Sequence, residues 1–252
     1  MYMIKSIART VNQLGPNQAH GPHQTALGIL SRVAGHEAAV SANPHEPRPE
    51  SDGGCIEAFA RLVAEAQACR ACPRMEGRVR LLGPANGPLR PRLCFVAEAP
   101  GRLGGDRTNI PLCGDQSGRN FERLLAAAQL DRASVFVANA VLCNPRDAAG
   151  RNAPPSSTEI RHCSRFLAAT LDLLQPPYVV ALGAVALRAL ARIELHGATL
   201  AADVGAVIPW CGRSLIPLYH PGPRAQLHRP YARQAEDFRK LGALVRVDDG
   251  AH

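Results

Sequence analysis

From Cys55 onward the apolar positions fall into a repeating order of compact runs and spaced faces. "RLCFVAEA" (92–99), "SVFVANAVL" (134–142), "YVVALG" (178–183) and "RSLIPLYH" (213–220) are short apolar runs, the pattern of strands covered on both faces. Helical spacing lies between and around them. "CIEAFARLVAEAQACRACP" carries an apolar face and stops at Pro73. "SGRNFERLLAAAQL" (117–130) places Phe121, Leu124, Leu125 and Ala128 on one face. "SSTEIRHCSRFLAATLDLL" (156–174) opens with Ser156 and Glu159, the spacing of a capping box. "AVALRALARI" (184–193) and "YARQAEDFRKLGALV" (231–245) complete the set. Strands alternating with helices predict one α/β domain built on four strands in a mainly parallel sheet. Ligands bind such sheets beyond the carboxyl ends of the strands. Here those ends carry "EAPGRLGGD", then Asn139 and Cys143, then Gly183, then "YHPG".

Residues 1–54 have a different texture. "NQLGPNQAHGPHQ" and "SANPHEPRPESDGG" are rich in Pro, Gly, Asn and His, and only "TALGILSRVAG" has helical character. The composition predicts a flexible N-terminal extension, a domain over 55–246 and a short tail at 247–252. No apolar run approaches the ~18 residues of a membrane span, and no secretory leader is visible. The chain is therefore expected inside the cell, with the nucleoid. Its formal net charge is +8. The first 54 residues hold four Lys/Arg and four acids, so the whole excess, mostly Arg, belongs to the folded part. A basic, Arg-rich domain is an electrostatic footprint for nucleic acid.

The eight cysteines change the picture further. Without a secretory leader, reduced thiols are expected rather than a disulfide framework. Cys69 and Cys72 form a C-x-x-C at the end of the first helix, Cys143 follows the second strand, and Cys163 lies inside the capped helix. Two local and two distant thiolates suit either tetrahedral zinc or a [4Fe-4S] cluster, and spacing alone leaves both open beside plain buried cysteines.

"EAPGRLGGDRTNIPLCGDQSG" (98–118), "ANAVLCNP", "EIRHC" and "LYHPG", together with the early C-x-x-C, resemble the iron–sulfur members of the uracil-DNA glycosylase superfamily over about Cys69 to Leu241. The loop looks most like the type-b (fifth) family, whose pattern is A-P-x-x-x-G-G-(N/D)-R-T followed by G-D-x-S-G; residues 99–118 match it without gaps. Glu98 is instead a type-a (fourth) feature, where the pattern is G-E-x-P-G. The resemblance implies a three-layer α/β/α sandwich. It implies a [4Fe-4S] cluster on Cys69, Cys72, Cys143 and Cys163. It also implies hydrolytic removal of uracil, and by extension other deaminated bases, from single- or double-stranded DNA by a monomer that initiates base excision repair.

That chemistry assigns roles. The nucleotide must be flipped out of the stack. Breaking its C–N bond then develops a uracil anion and an oxocarbenium-like sugar. His220 is the candidate to bind the anion at O2. Asp106 is the candidate to steady the cation and place the water, with Asp115 as runner-up. Asn139 offers a donor and an acceptor to the base edge. Glu98, Ala99, Pro100 and Gly101 are expected to line the pocket, with Leu112 where the family usually carries an aromatic ring. In "GPRAQLHRP" (222–230), Leu227 is a candidate wedge, and Arg224, His228 and Arg229 are candidate phosphate contacts. Two other readings compete. One is a slow-turnover protein that binds uracil or abasic DNA on this fold, although the basic–histidine insert of the covalently trapping relatives is not evident. The other is a zinc-stabilised nucleotide hydrolase, although the loop lacks the G-K-(S/T) ending of a P-loop.

Overall fold

The structure is a computed structural model and describes residues 52–249. The expected extension over 1–51 and residues 250–252 lie outside the described residues. In chain order the elements are α1 (Asp52–Ala68), β1 (Leu93–Ala97), α2 (Gly105–Thr108), α3 (Gln116–Ala128), β2 (Val135–Asn139), α4 (Ser157–Leu174), β3 (Tyr178–Leu182), α5 (Ala184–Leu190), α6 (Leu200–Asp203), β4 (Ile208–Trp210), β5 (Arg213–Leu218) and α7 (Tyr231–Asp249). Helix α1 starts three residues before the first periodic apolar position, through Gly53 and Gly54, whose composition suggests loop.

The sheet runs β2-β1-β3-β5-β4. β1, β2, β3 and β5 are parallel neighbours, and β4 adds an antiparallel edge to β5. It has five strands rather than the expected four. The extra strand is three residues long, contains Pro209 and is only partly buried, so it carries no apolar run. Cys211 and Gly212 make the hairpin turn at φ 52° and 68°, the two positive values that a tight two-residue hairpin uses.

Strand side chains alternate between two cores. Cys94, Val96, Phe136, Ala138, Val179, Ala181 and Leu215 face a layer that includes Phe59 of α1, Phe166 of α4 and Leu187 of α5. Phe95, Val137, Val180 and Ile216 face α3 and α7. On that side the Phe95 ring stacks on Phe238 at 5.9 Å and meets Phe121 edge-on at 5.2 Å. Burial on both faces is why these strands read as continuous apolar runs. The result is the expected three-layer sandwich.

The helix ends are chemically specified. In α4 the Ser156 Oγ accepts the Glu159 N–H at 3.2 Å, and Glu159 Oε2 accepts the Ser156 N–H at 2.7 Å. Glu159 also takes a bidentate pair from Arg74, at 2.8 and 2.5 Å. That pair fastens the segment just after Cys72 to the start of the helix that carries Cys163.

Helices α3 and α7 touch at a glycine. A Cβ at Gly242 would lie 2.1 Å from the Ala128 carbonyl oxygen, a backbone atom that cannot swing aside. Gly242→Ala would gain roughly 1 kcal/mol of helix propensity, but the clash dominates. It is expected to destabilise the fold by about 1–3 kcal/mol through overpacking, seen as a lower urea midpoint at unchanged slope. A midpoint at or above wild type would contradict this packing.

Candidate active site

Parallel register brings the strand exits level. Ala97 stands opposite Asn139, and Leu182 opposite Leu218. The chain leaves β1 into the glycine-rich loop, β2 at Asn139, β3 at Gly183 and β5 into "YHPG". Between these exits lies a cavity of about 520 Å³, within the range of about 300–1,000 Å³ usual for small-ligand sites. Glu98, Ala99, Pro100 and Gly101 form one wall; Leu112 and Asp115 come from the segment before α3; Asn139, His220 and Arg224 complete the set. The parallel sheet therefore gathers nine of the residues singled out from sequence at one place.

His220 sits half-buried on the cavity wall. Its Nδ1 accepts the Gly222 N–H at 3.0 Å, so in the neutral ring the proton resides on Nε2. The surrounding protein pushes its pKa down to about 4, against a smaller opposing pull from Asp115. The ring is therefore neutral near pH 7 and offers one N–H. Gly222 has to be glycine, because a Cβ there would lie 2.8 Å from His220 Nδ1 and 3.2 Å from Ser117 Oγ. Asn120, buried in α3, donates from Nδ2 to the Pro221 carbonyl at 2.8 Å and holds the His220 turn against the helix.

Asn139 is buried at 4 % exposure, lines the cavity, and its Nδ2 meets no partner among the described residues. A buried amide donor without a protein partner is costly until water or a ligand completes it. Burial also raises the Glu98 pKa, with Arg188 and Arg224 opposing. Leu112 adopts φ 47°, unusual for a branched side chain. That turn lets Gly118 press onto the Leu112 carbonyl, where a Cβ would lie 2.6 Å away.

The two aspartates part company. Asp115 lines the cavity and caps α3, its Oδ1 accepting the Gly118 N–H at 2.9 Å. Its Oδ2 seats over the loop so tightly that a Cβ at Gly101 or Gly104 would come within 2.5 Å. Asp106 does not line the cavity. Its carboxylate is drawn to Arg146 at 2.5 Å and accepts the Val79 N–H at 3.3 Å. Asp106 thus stands in an ion pair rather than facing the cavity, because Arg146, distant in sequence, folds back onto it.

Beyond β5, Arg224 rims the cavity, and Leu227 and His228 are exposed, Leu227 at 85 %. Arg229, a candidate phosphate contact, is engaged within the protein. It makes two bonds to the buried Asp237 carboxylate, at 2.9 and 2.6 Å, which fasten the segment to α7.

One wall was not foreseen: Asn144, Pro145, Asn152 and Ala153. Asn144 is buried and donates to the Pro100 carbonyl at 2.6 Å and to Asn152 Oδ1 at 3.0 Å, while its own Oδ1 accepts Arg146 Nε at 2.7 Å. Its place directly after Cys143 at a strand exit was the available signal. Asn152 sits in a turn-like run that offers none.

Cys143 adjoins this wall at Asn144, and the other three thiols are close enough to interact with it electrostatically. Cys143 and Cys163 are buried, and burial drives their pKa values to about 11 and 12; both also sense Cys69 and Cys72 as nearby like charges. Cys72 Sγ lies 3.5 Å from His162 Nδ1. Among the described residues no group of three His, Cys, Asp or Glu side chains is placed to hold a metal ion. No described helix is long and apolar enough to cross a membrane.

The uracil DNA glycosylase superfamily model matches residues 84–242. The chain is similar to a Type-4 uracil-DNA glycosylase of Archaeoglobus fulgidus, 29 % identical across 75 % of this chain and 94 % of the relative. A Type-5 uracil-DNA glycosylase of Pyrobaculum aerophilum is 32 % identical across 72 % and 87 %. A Type-4 uracil-DNA glycosylase of Thermotoga maritima is 31 % identical across 66 % and 82 %. Similarity to both types agrees with a type-b loop that carries the Glu98 of type a. With its matched segment spanning the whole cavity, the chain belongs to the uracil DNA glycosylase superfamily.

Proposed function

We propose that the protein hydrolyses the N-glycosidic bond of uracil in DNA, taking the flipped nucleotide into the cavity at the strand exits. The observation that carries this reading is the pair of side chains on one cavity wall, the buried Asn139 amide and a neutral His220. The Asn139 amide meets the N3/O4 edge of uracil, and uracil O2 accepts from His220 Nε2–H. Charge grows on O2 as the C–N bond breaks, so the His220 bond strengthens towards the transition state and lowers the barrier. A neutral donor suits this role, because it needs no proton transfer and avoids the cost of burying a charged imidazole. Flipping costs a few kcal/mol, least at a mismatch, and the basic rim with Leu227 offsets that cost by filling the gap in the stack.

The carboxylate that steadies the sugar cation and attracts the water is assigned to Asp115, which already stands on the cavity wall. Asp106 would first have to leave Arg146. Its place is to join the glycine-rich loop to the wall at Asn144. Removal of other deaminated bases, entry into base excision repair and action on both single- and double-stranded DNA belong to the same proposal.

The donor set fits an iron–sulfur cluster. Four soft thiols lie within electrostatic reach of one another, two of them buried, and a free thiol at these pKa values stays protonated and inert, whereas metal binding takes thiolate. Cys69, Cys72, Cys143 and Cys163 would hold a [4Fe-4S] cluster, which supplies a rigid cross-link between α1, the β2 exit and α4. Arg80 supports the site by donating to the Cys69 carbonyl from Nε and Nη2, at 3.2 and 3.0 Å.

The direct test is base release from uracil oligonucleotides, read as alkali-labile sites. Cleavage at uracil supports the proposal, and tight retention on uracil DNA without release would favour a binding protein instead. In single-turnover assays Asp115→Asn is expected to slow release by about two orders of magnitude, while Asp106→Asn mainly lowers thermal stability; the reverse pattern would return the role to Asp106. Protein purified without air should contain iron and acid-labile sulfide in equal amounts, lost together in Cys163→Ala. Zinc in their place would contradict the cluster.

The depressed His220 pKa also sets a stability window. The native ring takes up its proton near pH 4, whereas an unfolded histidine does so near ~6.5. Between those values the unfolded chain binds more protons, so stability rises with pH across the window and is lost as pH falls through it. His220→Asn should flatten the pH dependence of unfolding there by up to about 1.4 kcal/mol per pH unit. An unchanged slope would show that the ring titrates normally.

A further inference from the structure

The glycine-rich loop holds a feature that the pocket does not use. Leu103 is 52 % exposed at its tip, with Ile110 also exposed nearby. A solitary exposed leucine is ordinary. This one is presented by a loop that is pinned on every side. The Arg102 N–H donates to Asn152 Oδ1 at 2.9 Å, the Gly104 and Asp106 N–H groups both donate to the Gly101 carbonyl, and Gly104 and Gly105 are buried. A Cβ on Gly114 would lie 3.3 Å from the Leu103 carbonyl oxygen, so the backbone beneath the leucine is closely packed. The flanking Arg102 and Arg107 are exposed and enter no ion pair among the described residues.

Its place in the fold gives this tip a counterpart. The loop leaves β1, and the segment carrying Leu227 leaves β5; these two strands flank β3 in the sheet. Their exits are therefore about 10 Å apart, with the cavity between them. Each side thus presents an exposed leucine beside exposed basic side chains: Leu103 with Arg102 and Arg107, and Leu227 with Arg224 and His228.

We propose that Leu103 is a second apolar wedge, which enters the duplex from the glycine-rich rim and packs against the base left without its partner when uracil is flipped. The occupant is double-stranded DNA, indicated by the cations on both sides of the leucine, whose long-range attraction draws phosphates to this rim. The proposal rests on the base-flipping reading above and adds a residue that acts only where there is a second strand. A rigid apolar tip suits insertion, because it fills the gap in the stack with little ordering of its own.

The test compares single-turnover uracil release from a U·A duplex and from the same strand alone, for wild type, Leu103→Ala and Leu103→Met. The duplex-to-single-strand rate ratio is expected to fall at least fivefold in Leu103→Ala and to return towards wild type in Leu103→Met. With 2-aminopurine placed opposite uracil, wild type should raise the fluorescence on binding more than Leu103→Ala does. An unchanged ratio in an active Leu103→Ala protein would overturn the wedge alone. A wild-type protein that releases uracil from neither substrate would overturn the base-flipping reading, and the wedge with it.

Discussion

The site depends on how Asp115 is held. One oxygen caps α3, the other seats over the Cα atoms of Gly101 and Gly104, and the charge of the group reaches His220. A single carboxylate thereby fixes the start of a helix, the path of the glycine-rich loop and the field at the strand-end histidine. The glycines matter because of this approach. At Gly101 and Gly104 any side chain would displace the carboxylate, so the loop's composition follows from packing against Asp115 rather than from a need to cradle phosphate.

A second layer of constraint lies behind that contact. Asp106, Arg146, Asn144, Asn152 and the Pro100 carbonyl form one continuous polar chain from the loop to the wall beside Cys143. A polar chain anchored on a buried residue such as Asn144 specifies one arrangement when every member is satisfied. The Arg74–Glu159 pair does the same for the segment between Cys72 and Cys163. The cavity is thus braced from the side of the thiols as well as from α3. Damage among the cysteines would be felt at the cavity although no cysteine lines it.

Much of this was legible in the chain because it is written locally. The four buried strands announce themselves as apolar runs, Ser156 and Glu159 mark the start of α4, and the residues at the strand exits converge because parallel strands put all their carboxyl ends on one edge. What was hidden depends on pairings across long separations. Arg146 lies forty residues from Asp106 and removes it from the cavity; nothing near either residue reveals the partnership. Asp237 claims Arg229 in the same way. The edge strand β4 is short and proline-bearing, so its pairing comes from the Cys211–Gly212 turn and not from its own pattern. Leu112 stands out in the sequence for its place in the loop, but its left-handed backbone emerges only from the close approach of Gly118.

The central claim is chemical: a neutral imidazole, held by a backbone N–H at Nδ1, presents a proton on Nε2 to the base. Nitrogen-15 NMR of histidine-labelled protein, with His220 assigned by substitution, reads this directly. The account predicts a neutral ring at pH 7, protonated on Nε2 and accepting at Nδ1, and an Nε2 resonance that shifts when uracil is added. A cationic ring at pH 7, or a proton on Nδ1, would contradict it.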